Sequence, residues 1–95
     1  MPKKNNNVIT ARSAAAEVVD QILAEGAYTN IAVNNYLRRH SLPEQERKFF
    51  TELVYGTVKA KGTLDWYLNQ CLTRPLIKID RMILSILRIS AFQLL

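Results

Sequence analysis

The sequence predicts an all-α fold, a bundle of about five helices, on three observations. Apolar residues return at spacings of three and four along nearly the whole chain, the repeat of helices that each bury one side. Only three glycines and three prolines interrupt 95 residues, 48% of which are apolar, too few breaks for a loop-rich β architecture. Ser, Thr, Asp, Gly and Pro stand between the periodic stretches, where helices start and stop. A chain of 95 residues holds one domain with a modest core.

Residues 1–8 are polar and carry Lys3 and Lys4 beside three asparagines. They read as a flexible basic arm, and residues 9–95 as the helical domain. Thr10 is placed to cap a first helix with Ala11, Ala14, Ala15, Val18, Val19, Ile22 and Leu23 inward. Gly26 ends it as a left-handed cap. Three alanines on that face permit close approach to another helix. Thr29 is read as the cap of a second helix with Ala32, Val33, Tyr36 and Leu37 inward, and Arg38 and Arg39 complement its dipole at the far end.

Ser41-Leu42-Pro43-Glu44 reads as the next start, with a capping serine and a proline in the first turn. The third helix should cover residues 44 to about 61, burying Phe49, Phe50, Leu53, Val54, Thr57 and Val58 and exposing Arg47, Lys48, Glu52, Lys59 and Lys61. Gly56 in its interior costs about 1 kcal/mol relative to alanine, which points to a close contact with a crossing helix or another chain. Gly62 should close the helix and Thr63 open a fourth, with Leu64, Tyr67, Leu68, Cys71 and Leu72 inward and Trp66 beside that stripe. Thr73-Arg74-Pro75 breaks the pattern.

Asp80 is placed to cap the last helix, whose residues are apolar in nearly every direction around the axis. A narrow polar strip remains through Arg81, Ser85 and Arg88. Such a helix is expected at the centre, wrapped by the others. No stopping signal follows Leu95, so the chain is expected to end within or just after a core helix and to lack that helix's covering partners. Phe92, Leu94 and Leu95 are the candidates to bury the resulting patch in a homodimer.

Thirteen Lys and Arg against eight Asp and Glu give a net charge of +5, which favours polyanionic partners. The candidate contacts are Lys3, Lys4, Arg12, Arg47, Lys48, Lys59 and Lys61, a basic edge around the arm, a helix N-terminus and the third helix. No nucleophile, base and charge-stabilising set converges, and no phosphate-binding glycine loop or zinc spacing occurs. Cys71 and His40 stand apart, one read as a core residue and the other as a terminal helix residue. No catalytic, cofactor or metal residue is therefore assigned. Without an apolar run of membrane length or a hydrophobic leader beside Lys3 and Lys4, a cytoplasmic protein is expected.

Three segments carry a resemblance: Glu52-Leu53-Val54-Tyr55-Gly56-Thr57-Val58, Leu64-Asp65, and Leu87-Arg88-Ile89-Ser90-Ala91-Phe92-Gln93-Leu94-Leu95. From about Ala11-Arg12 to Leu95 the chain resembles the N-terminal NusB-like domain of the bacterial Sun/Fmu ribosomal RNA methyltransferases, which make 5-methylcytosine with S-adenosylmethionine. The resemblance implies a NusB-like helical bundle that binds ribosomal RNA. It carries Arg12 across as an RNA-facing residue, and it places the catalytic domain and its cofactor elsewhere in a longer protein, in cis. The related antitermination factor NusB is the alternative, and a helical oligomerisation module, whose charge serves solubility alone, is a third reading.

Overall fold

The computed structural model describes residues 10–95; the arm expected over residues 1–8, with Lys3 and Lys4, lies outside the described residues. Among these run α1 (Ala11–Glu25), α2 (Thr29–Arg39), α3 (Glu44–Lys59), α4 (Lys61–Cys71), a 3-10 turn (Leu76–Lys78) and α5 (Arg81–Leu94). Every regular element among the described residues is helical, as the periodicity requires.

The organising helix is α1, not α5. It packs against α2, α3 and α5 and buries Ala11, Ala14, Ala15, Ala16, Val18, Val19 and Ile22. Its four buried alanines let neighbouring backbones come close, and Phe50, Leu53 and Val54 of α3 close over its valines in a single core. Both of its ends match the sequence reading. The Thr10 hydroxyl accepts from Ser13 N–H at 3.1 Å while Ser13 Oγ accepts from Thr10 N–H at 3.1 Å, a reciprocal cap. Gly26 takes φ +80° and its N–H donates to Ile22 O at 3.2 Å, a backbone conformation that a side chain would disfavour.

Several boundaries differ from expectation. Tyr28, in extended backbone, is the N-terminal cap of α2, and Thr29 is already helical. Pro43, not Ser41, precedes α3; proline lacks only an N–H that the helix would leave unbonded there. The break between α3 and α4 falls at Ala60, with φ −93° and ψ 11°. Gly62 and Thr63 therefore lie inside the first turn of α4 and cap nothing. Of the stripe expected on α4, Leu64 and Leu68 are buried, whereas Tyr67 and Cys71 are exposed. One short helix against α5 has only enough contact to cover a narrow face.

Two of the three residues of the polar strip of α5 face inward. Ser85 and Arg88 are 1% and 9% exposed, while Ile83 and Ile86 are 53% and 49% exposed. The reason lies on α4: Asp65 receives Arg88 Nε at 2.8 Å and Arg88 Nη2 at 3.0 Å, a bidentate pair. A paired guanidinium tolerates burial that a lone one would not. At its start α5 is held by Asp80, whose Oδ1 accepts from Met82 and Ile83 N–H. Arg81 ties that end to α1, donating to Asp20 and Glu25 at 2.8 Å. Near the other end, Phe92 lies on Gly56 of α3: a Cβ built at Gly56 would stand 2.1 Å from the ring. Gly56 thus serves the close crossing its position in the sequence implied.

Candidate nucleic-acid interface

Arg12 stands on the first turn of α1, exposed at its root and held in place at its tip. Its guanidinium lies 5.2 Å from the centroid of the Phe49 ring, and its Nε donates to Gln93 Oε1 at 3.1 Å. Phe49 comes from α3 and Gln93 from α5, so three helices fix one cation while its remaining N–H donors stay available. Glu46 Oε1 accepts from Ala11 N–H at 3.0 Å. This carboxylate satisfies the start of a neighbouring helix. With Ser13 N–H held by Thr10 as well, the start of α1 offers fewer free backbone donors to a phosphate than its position implied.

The other candidate cations divide into two groups. Arg47 and Lys48 lie on the opening turns of α3, close to the start of α1 through Glu46 and Phe49, and both are exposed. They line shallow depressions between α2 and α3. Lys59 and Lys61 lie at the far end of α3 and the start of α4, Lys59 about 17 Å along the helix from Lys48 at 1.5 Å per residue. Lys61 Nζ is 3.1 Å from Asp65 Oδ2, so its charge helps to balance the carboxylate that holds Arg88. The structure thus brings Arg12, Arg47 and Lys48 toward one end of the bundle and leaves Lys59 and Lys61 at the other.

One group was not singled out from sequence. Arg38 joins Asn34, Asn35, Ile31, Leu37 and Arg47 around a depression between α2 and α3, and its Nη2 donates to Asn35 Oδ1. Its place in the last turn of α2 gave it a sufficient structural reason, which hid it. The spacing of Ile31, Asn34, Asn35 and Arg38 at three and four was the available signal.

Of the candidate self-association residues, Phe92 is engaged within the chain, packed against the core and Gly56. Leu94 and Leu95 are 86% and 66% exposed at the end of α5, about 12 Å or more along the helix from the exposed Met82, Ile83 and Ile86 near its start.

Among the described residues no group of three or more His, Cys, Asp or Glu is placed to hold a metal. His40 caps α2 at its end, its ring 4.2 Å from that of Tyr36. None of the three glycines offers a cradle for S-adenosylmethionine. Gly26 caps a helix, Gly56 is covered by Phe92 and Gly62 lies in a helical turn, and no methyl-transfer step is assigned to the described residues. No helix among the described residues is long and apolar enough to cross a membrane.

The chain shares 34% identity over 87 residues with a probable ribosomal RNA small subunit methyltransferase B of Synechocystis, covering 92% of this chain and 20% of that protein. A putative methyltransferase of Mycobacterium tuberculosis is 35% identical over 85 residues, 90% of this chain and 19% of its own length. A probable ribosomal RNA small subunit methyltransferase B of Bacillus subtilis is 31% identical over the same proportions, 90% and 19%. The chain therefore spans about a fifth of the length of these relatives. No solved structure matches it. The NusB family matches residues 9–95, the whole of the α1–α5 bundle, and the chain belongs to that family.

Proposed function

We propose that this chain is the RNA-docking domain of a cytoplasmic ribosomal RNA methyltransferase that forms 5-methylcytosine with S-adenosylmethionine. It contributes affinity and orientation, while the methyl transfer, its cofactor and its catalytic residues belong to a further domain in cis. The observation that carries this reading is Arg12, exposed at the end of the bundle yet fixed on Phe49 and Gln93, with Arg47 and Lys48 on the adjoining turns of α3. A guanidinium held by stacking loses less freedom on meeting a phosphate than a loose surface side chain does. The methyltransferase names of relatives about five times longer favour this reading over a self-contained antitermination factor.

The test is binding to a small-subunit ribosomal RNA hairpin and to an unrelated hairpin at low and moderate salt. Arg12→Glu should lower affinity about tenfold or more, and wild-type affinity should fall steeply with salt. Unchanged affinity in Arg12→Glu, with the protein folded, would sink this placement of the docking edge. Lys3→Glu and Lys4→Glu in the same assay test the proposed contribution of the arm.

Self-association is the second part of the proposal. It rests on the exposed apolar residues of α5, Met82, Ile83 and Ile86 near its start and Leu94 and Leu95 at its end, with Ser90 and Gln93 exposed between them. Two copies of the chain pair through these residues.

A further inference from the structure

The α2 helix carries a stripe at core spacing that is not core. Ile31, Asn34, Asn35 and Arg38 follow one another at three and four, and Tyr28 continues the line one turn earlier. Tyr28 is 75% and Ile31 53% exposed, whereas Ala32, Val33 and Tyr36 make the buried face of the same helix. Across a depression from the stripe stands Arg47 of α3, and Leu37 lies beside it. From Tyr28 to Arg38 the stripe runs about 15 Å along the helix.

We infer that this α2–α3 cleft is a binding site for single-stranded RNA, with Tyr28 a stacking surface for a base, the Asn34 and Asn35 amides aimed at base edges, and Arg38 and Arg47 on the phosphates. The residue types fit that ligand in combination. An exposed ring accepts any base by stacking. Amides carry both donors and acceptors, as unpaired base edges do. The two guanidinium groups pair with no carboxylate among the described residues, and the residues lining the cleft include no acid. Arg47 also lines the neighbouring depression, where Lys48 stands with Glu44 and Glu52. The hydrogen bond from Arg38 occupies the Asn35 amide oxygen and leaves its NH₂ group able to donate elsewhere. Two arginines on a helix end would by themselves be explained by the dipole; the aromatic and amide residues in line with Arg38, with Arg47 opposite, would not.

This inference rests on the RNA-docking reading and is separable from it. The probe is a mixed-sequence single-stranded RNA dodecamer, compared with the duplex of the same sequence, on the full 95-residue chain. Tyr28→Ala should weaken single-strand binding about tenfold and duplex binding much less, since only unpaired bases stack on a side chain. Arg38→Glu, at a position outside the edge formed by Arg12, Arg47 and Lys48, should weaken single-strand binding at least as much. Both positions are exposed, so folding is expected to survive, and circular dichroism checks it. If Arg12→Glu removes binding while the cleft variants keep it, the cleft proposal fails and the docking reading stands. Equal losses on single strand and duplex would reduce the cleft to a plain positive patch and overturn base recognition. Competition by polyglutamate as effective as by RNA would assign the cleft to acidic peptides instead. No binding of either RNA by the wild-type chain would overturn both.

Discussion

Arg88 shows how one residue decides where a helix faces. Its sequence context is a polar position on an otherwise apolar helix, and spacing alone cannot reveal a carboxylate waiting on another helix. Ser85 is buried with it, small enough to sit at 1% exposure where α5 approaches α1. The resemblance segments contained both Asp65 and Arg88, but their contact emerges only in three dimensions. Burial pushes the Asp65 carboxyl up, yet hydrogen bonds from Arg88 and Lys61 and their charges outweigh it and hold the group below its ordinary value of 3.8. The folded state thus keeps this carboxylate ionised where the unfolded chain has begun to protonate it. Its stabilising contribution is complete above pH 3.8 and is lost as pH falls through that value toward the lower folded one. Arg88→Met should cost about 2 to 3 kcal/mol in urea unfolding at neutral pH, less than for a fully enclosed pair because water still reaches both groups. It should also flatten the acid limb of stability against pH, and adding Asp65→Leu should restore most of the loss. Thr57 presents the opposite case: its hydroxyl is fully buried and bonds to nothing among the described residues. Thr57→Val keeps the shape and removes the unpaired oxygen, so thermal unfolding should rise by a few degrees, about 1 kcal/mol.

Among the elements, the starts and stops that were legible are those carried by a single side chain or a single backbone conformation. Thr10, Gly26 and Asp80 each announced their helix end. The ends of α3 and α4 were not legible, because Ala60 breaks the helix without any breaker in its own chemistry, while Gly62, a nominal breaker, is carried through the next turn. The inward face of α1 was read nearly completely, yet its central place was given to α5: apolar content was mistaken for burial. The crossing of α3 and α5 makes the sharpest test at this scale. Gly56→Ala would ordinarily gain about 1 kcal/mol of helix propensity. Here the new methyl must displace the Phe92 ring, which packs against the core. A net loss of about 1 to 2 kcal/mol is expected. In a double-mutant cycle with Phe92→Ala, the combined loss should fall well short of the sum, because removing the ring removes the clash. Additive losses would show that the two residues do not meet.

On the scale of the whole molecule, Arg12 stands at the edge of the apolar side of α5, lining one groove with Met82 and Ile86, while Arg47 lies between α2 and α3. Charged and apolar surface nevertheless respond to salt in opposite ways. Arg12, Arg47 and Lys48 gather where α1 and α3 begin, and the sequence predicted their chemistry but not which of the seven candidate cations would share one end. The apolar side of α5, with Ile83 and Ile86 about half exposed, is set by α4 and the Arg88–Asp65 pair, which turn Ser85 and Arg88 inward and so send the isoleucines out. Association through that side depends on water leaving apolar surface, which added salt does not weaken; RNA binding depends on counterion release, which added salt does weaken. Light scattering of the purified chain at high protein concentration should therefore give a mass near that of two chains at both low and moderate salt. Over the same salt range, affinity for an RNA hairpin should fall by orders of magnitude. Ile83→Glu, at a position outside the groove that Arg12 lines, should return the mass to that of one chain and leave RNA binding within about twofold of wild type. A single-chain mass for the unaltered protein under all these conditions would sink the pairing of copies through α5. Loss of RNA binding in the α5 variant, with its fold intact, would mean that the two surfaces are not separate and that pairing builds the RNA-binding face.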